Sequence, residues 1–158
     1  MQSDTVQKYS HQYWMYEALG FAKNHYKSEV PVCAIVVKEN KLISCGLNLT
    51  EDLNDSTAHA EIIAIREASK TLSNWRLNNC ILYCTLEPCS MCMGAILNSR
   101  IPKFVFGAYD QIAGACGSRL NLAYELEKEK QIEIIGGVCE LECAELLKDF
   151  FINKRLTI

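Results

Sequence analysis

Apolar residues recur at helical spacing over residues 9–25 (YSHQYWMYEALGFAKNH), and this period predicts an opening amphipathic helix. The pattern then changes. Residues 31–37 (PVCAIVV) are continuously apolar and rich in valine, which suits a strand covered on both faces. A polar turn, Lys38 to Lys41, leads into residues 42–47 (LISCGL), so the two runs read as a hairpin. Residues 48–57 are a polar loop. Thr57 stands where an N-cap belongs, ahead of a helix expected from Ala58 to Leu72. Residues 80–86 (CILYCTL) read as a strand. Pro88 then opens a short helix through Asn98, because proline lacks only an N–H that the first turn leaves unbonded. A strand over 103–108, a glycine-rich loop over 107–118 and a partly helical stretch over 119–130 follow. A last strand over 132–135, the pair Gly136 and Gly137, and an amphipathic helix over 139–155 complete the chain.

The order α-β-β-α-β-α-β-α-β-α interleaves helices with strands. Such crossovers predict a mainly parallel sheet with helices on both faces, made mixed by the first hairpin. The expected fold is a three-layer α/β/α sandwich with a mixed five-stranded sheet. No internal repeat, low-complexity tract or linker interrupts the pattern, so residues 1–158 read as one domain. A chain of this length buries roughly 68–70% of its unfolded surface and needs no disulfides to fold. No apolar run approaches the roughly 20 residues of a membrane helix. The stretch Met1–Gln12 has no apolar secretory core, and a cytoplasmic location is expected. A formal charge of −3 argues against broad, charge-driven affinity for nucleic acid, while leaving room for a local basic face.

Nine cysteines alter the picture. The number is odd and the spacing fits no small secreted framework, so thiols, metal ligands or nucleophiles are expected. Cys33, Cys45, Cys80, Cys84, Cys116, Cys139 and Cys143 lie in apolar company and read as small buried hydrophobes. Cys89 and Cys92 differ. They form Pro88-Cys89-Ser90-Met91-Cys92 at an expected helix start, and His59-Ala60-Glu61 stands at another. Residues three apart on a first helical turn share a side, and the helix dipole there favours thiolate. One imidazole and two thiolates are a soft, tetrahedral set suited to one Zn²⁺, with a fourth position left for water. Cys84 is the alternative fourth ligand, which would close the site. His11 and His25 lie on the first helix and read as surface or internally bonded residues. On a regular helix Glu61 points about 200° away from His59. That makes it a poor second ligand but a suitable acid/base for the bound water.

Taken together, these residues resemble the zinc-dependent cytidine/adenosine deaminases, and within them the bacterial tRNA-specific adenosine deaminases. The resemblance runs from about Ser10 to Arg155. It rests on Ser10–Met15, Val30-Pro31-Val32, Asn48, Thr57–Ile62, Thr85–Cys92, Gly107–Asp110, Gly114–Ser118 and Asp149-Phe150-Phe151. It implies a homodimer that converts adenosine to inosine at the wobble position of a tRNA anticodon, with zinc and no organic cofactor. It implies that Asn48 bonds the target base and Asp110 a flanking ribose, with Phe151 and Arg155 at neighbouring nucleotides. The alternative for Phe151 is a core-facing helix position. Cys33 and Tyr109 depart from the family pattern, which more often has glycine and a basic residue there. The basic residues left for an RNA face are Arg76, Arg100, Lys103, Arg119, Lys154 and Arg155. A free-nucleobase deaminase for cytosine or guanine would use the same metal and glutamate. A zinc-stabilised scaffold without activity would be expected to lack Glu61.

Overall fold

The computed structural model describes residues 6–25 and 28–156; the first five residues of the polar Met1–Gln12 stretch lie outside it. Its elements run α1 (His11–His25), β1 (Cys33–Lys38), β2 (Lys41–Leu47), α2 (Ala60–Thr71), β3 (Ile81–Leu86), α3 (Ser90–Asn98), β4 (Lys103–Ala108), α4 (Leu122–Glu125), β5 (Glu133–Ile135) and α5 (Glu140–Leu156). The five strands form one sheet in the order β2-β1-β3-β4-β5. Glu39 and Asn40 both have positive φ, the twist a two-residue hairpin turn requires.

The expected three-layer sandwich is present. Period-two alternation divides β1 cleanly: Ala34 and Val36 face a core with Ala60, Ala64, Met93 and Ile96 from α2 and α3. Cys33, Ile35 and Val37 face a second core with Trp14, Met15, Leu19 and Leu146 from α1 and α5. The sheet is less parallel than the helical crossovers imply. β1 pairs antiparallel with both β2 and β3, and only β3–β4 and β4–β5 are parallel. The reason is geometric. The crossover through α2 does return β3 parallel to β2, but β1 lies between them and opposes both.

Element boundaries also shift. α2 begins at Ala60, and its N-cap is His59 with extended backbone, not Thr57. Thr57 instead donates through its N–H and hydroxyl to Asp55 Oδ1. Only Leu122–Glu125 of the 119–130 stretch is helical, capped by the Asn121 side chain. Among the described residues no helix is long and apolar enough to cross a membrane.

The α2 helix lies hard against β2. Ser44 Oγ donates to Ala64 O at 2.7 Å. At Gly46 a Cβ would collide with the backbone of Ala60 and Ala64, so this contact admits no side chain. Gly20, in α1, has open space around the same position. Gly46→Ala should therefore destabilise by about 1–3 kcal/mol or more through overpacking against backbone. Gly20→Ala should stabilise by about 0.5–1 kcal/mol through helix propensity. Urea midpoints of the two variants check the contrast; equal midpoints would refute the close contact.

Candidate active site

The N-termini of α2 and α3 meet at one end of the sheet, beyond the C-termini of β2 and β3. His59 caps the first and Cys89 the second, with Cys92 three residues into α3. His59 Nδ1 lies 3.6 Å from Cys89 Sγ and 3.5 Å from Cys92 Sγ. Zn–S bonds of about 2.3 Å and Zn–N bonds of about 2.0–2.1 Å in a tetrahedron would separate nitrogen and sulfur by about 3.6 Å. The ligand atoms all fall within 4.8 Å of one another, and no other such cluster occurs among the described residues. The donor set and its spacing thus fit one zinc ion, and three ligands leave a coordination position open.

Cys89 is placed to bind as a thiolate. The Cys92 thiol donates to it, the backbone N–H groups of Cys92 and Met91 stabilise it, and the His59 charge adds to these. Against the cost of burial they bring its pKa down to about 5. Cys92, as the donor and itself buried, is pushed up. Zinc would be held by both sulfurs as thiolates, so its binding would be coupled to loss of the thiol protons.

Glu61 is 5% exposed and faces the same point. Burial raises its pKa above the usual carboxylate value, with the Cys89 charge adding to the effect and its own backbone N–H and the His59 charge opposing it. His59 stands outside the helix as its extended cap, so the regular helical angle of about 200° does not separate it from Glu61. The Cys84 thiol is fully buried and lies near the Glu61 charge. Burial and that charge raise it well above its usual value. It is not part of the ligand cluster, so it does not close the site. His11 bonds Tyr83 OH at 2.9 Å, as a satisfied residue.

A cavity of about 320 Å³ opens over the cluster. Val30, Val32 and Leu86 give it apolar walls, while Asn48, His59, Glu61, Cys89 and Asp110 supply polar groups. Asn48 Oδ1 is buried there without a hydrogen-bond partner, although an unpaired buried oxygen costs about 1–3 kcal/mol. Asp110 Oδ1 accepts from Ile112 N and Ala113 N, which turns the chain over the cavity mouth.

One organising residue escaped the sequence reading. Glu87 is 1% exposed and accepts from Asp110 N, Cys116 N, Ser118 N and Ser118 Oγ. A Cβ at Gly114 would strike its carboxylate. Flanking a cysteine motif, Glu87 carries no periodic or spacing signal of its own; its partners lie more than twenty residues away.

Phe151 and Arg155 do not line the cavity. Both are exposed on α5, and it is the neighbouring Phe150 that turns inward, so Phe151 is not core-facing. Three of the basic candidates sit elsewhere too. Arg76 lies over the Trp75 ring at 4.2 Å, and Arg100 borders a concavity at the C-terminal ends of α2 and α3, remote from the ligands. Lys103 pairs with Glu133 at 2.9 Å.

Residues 8–108 match the cytidine and deoxycytidylate deaminase zinc-binding region. The chain belongs to that family. Its ligand cluster, open coordination position and buried glutamate fall inside the matched segment. The chain is 45% identical over 139 residues to the tRNA-specific adenosine deaminase of Bacillus subtilis, spanning 87% of this chain and 86% of that one. It is 46% identical over 144 residues to the enzyme of the same name from Buchnera aphidicola, covering 90% and 95%. A solved structure from studies of A-to-I editing by tRNA:A34 deaminases superposes with a TM-score of 0.79 at 38% identity, covering 84% and 96% of the two chains. Guanine deaminase from Bacillus subtilis superposes less well, with a TM-score of 0.63 at 35% identity over 73% and 75%.

As a family zinc site, the cluster makes one prediction directly. Cys89→Ala should purify without its zinc and with a lowered thermal midpoint, since metal binding and folding are coupled. Elemental analysis showing one zinc per chain in that variant would remove Cys89 from the ligand set.

Proposed function

We propose that this protein hydrolyses adenosine to inosine at the wobble position of a tRNA anticodon. The observation that carries the reading is the cavity itself: an orphaned Asn48 oxygen faces the same space as the zinc ligands and the buried Glu61. A base extruded from a single-stranded loop fits such a pocket and supplies the missing donor. The identity to tRNA-specific adenosine deaminases over nearly the full length of both chains supports tRNA as the carrier of that base.

His59, Cys89 and Cys92 hold the metal. When bound, zinc supplies a water acidic enough to lose a proton near neutral pH. Glu61 takes that proton as oxygen adds to C6 of the adenine, and delivers it to N1 of the ring. It then takes the proton of the new C6 hydroxyl and passes it to the amine as the C6–N bond breaks, so that water and adenosine become inosine and ammonia. Burial suits Glu61 to the role, because a raised pKa lets the carboxyl group both accept and release protons. Asn48 orients the base. Asp110 stands at the cavity mouth, where a flanking ribose would pass. Phe151 and Arg155 lie beyond the cavity and are assigned to nucleotides further along the loop.

The working form is read as a cytoplasmic homodimer. Nine cysteines, none of them in a disulfide, suit a reducing compartment. Ile112, Tyr124 and Leu126 are exposed apolar side chains in the segment after β4, a surface suited to association. Light scattering at micromolar concentration should report twice the mass of one chain; a monomer would refute the dimer.

The substrate is tested by incubating the zinc-loaded protein separately with tRNA, adenosine, cytosine and guanine, followed by nucleoside analysis. Inosine should form in tRNA. Turnover of a free base instead would favour the nucleobase reading, to which the guanine deaminase likeness points. Glu61→Gln should keep one zinc per chain and near-native tRNA affinity, while single-turnover inosine formation falls by about 10²–10⁴-fold or more. A fall below about tenfold would exclude Glu61 as the proton carrier.

A further inference from the structure

Glu29 is a buried carboxylate that the mechanism leaves unused. It is 4% exposed and precedes Val30, a cavity-wall residue. Its Oε1 accepts from Asp52 N at 2.8 Å and its Oε2 from Thr50 Oγ1 at 3.3 Å. Thr50 and Asn48 both line the cavity, and Glu29 and Asn48 border the same small void behind it. The segment that carries them has other anchors too, among them Ser28 Oγ to Asp52 Oδ1 at 3.5 Å and Asp55 N to Thr50 O at 3.1 Å. Asn48 N reaches Val32 O and Leu49 N reaches Ala58 O, after which the exposed residues 51–54 turn largely on themselves. The Glu29 side chain is thus a tie from the base of the fold to the start of an irregular loop.

We infer that Glu29 is a positioning residue for substrate, acting through Thr50 and the 48–52 wall of the cavity. Glu87 plays a like part elsewhere in the lining, accepting from the N–H of the cavity residue Asp110. The inference rests on the adenosine reading. With the carboxylate in place, the Thr50 hydroxyl proton is committed to Glu29, and Thr50 offers the cavity only acceptor lone pairs and a methyl group. Without it, the Asp52 N–H loses its buried partner and the wall loosens. Binding suffers more than chemistry, because Glu61 and Cys92 sit on α2 and α3 and the other ligands, His59 and Cys89, cap those helices.

The test uses the full-length, zinc-loaded protein and a tRNA anticodon stem-loop, measuring kcat, KM and stem-loop affinity. Glu29→Ala should raise KM about tenfold and leave kcat within about threefold, with one zinc per chain retained. Glu29→Gln keeps an acceptor oxygen and should return KM to within about threefold of the parent. Thr50→Val should raise KM in the parent yet add little in the Glu29→Ala background, as expected of two residues acting as a unit. An unchanged KM in Glu29→Ala, a loss confined to kcat, fully additive effects, or no rescue by glutamine would each overturn the inference. If Glu29→Ala does not fold, Thr50→Val decides: it breaks the bond without emptying the buried site, and an unchanged KM overturns the proposal. A parent protein that neither deaminates nor binds the stem-loop would overturn the adenosine reading and this inference with it. Normal parent activity with indifferent variants would count against Glu29 alone.

Discussion

Three ligand atoms from two segments thirty residues apart must come within reach of one ion. That demand governs the architecture around them. Neither α2 nor α3 can bring its ligands to the metal alone; the sheet beneath them and their packing on each other fix the distance between them. β2 and β3 both run opposite to β1, so the helices that follow them begin at the same end of the sheet and pack side by side on one face. Helix starts suit the purpose twice over. Their unpaired N–H groups favour thiolate, and a cap residue is free of helical dihedrals, which lets His59 turn towards the cysteines.

Around this centre the cavity is finished by carboxylates that never meet the metal. Glu87 gathers the backbone of Asp110, Cys116 and Ser118 onto one side chain, and Glu29 does the same on a smaller scale for Thr50 and Asp52. Both are acceptor-only groups with nearly no solvent contact, so each needs neighbouring N–H or O–H donors to offset its desolvation. The loops satisfy the carboxylates and the carboxylates shape the loops. Irregular backbone thereby acquires the definition that ladder hydrogen bonds give to strands.

Much of this was legible in the sequence because it repeats or clusters locally. The alternation of Ala34 and Val36 against Cys33 and Ile35, the apolar stripe of α1 and the pair of short metal motifs all express periods or spacings of a few residues. What escaped depends on distant partners. The antiparallel β1–β3 pairing is decided by which strand occupies the gap, not by any residue within either. Glu87 looks like one more polar residue until the loop twenty residues later closes on it. Thr57 has the chemistry of a cap, but Asp55 claims its donors and the helix starts later. Phe150 and Phe151 are alike in kind, and only the setting of α5 on the sheet decides which one turns inward.

The bare contact at Gly46 has a wider meaning. With no side chain between strand and helix, α2 has no cushion that substitution could thicken or thin by degrees. The half of the cavity carried by α2 is therefore closed to gradual remodelling. A change in substrate size or shape is more readily absorbed by the segments after β2 and β4, where the chain is irregular and many side chains are exposed. Chemistry and selectivity are inherited separately: one is locked into a backbone contact, the other is written on loops free to change.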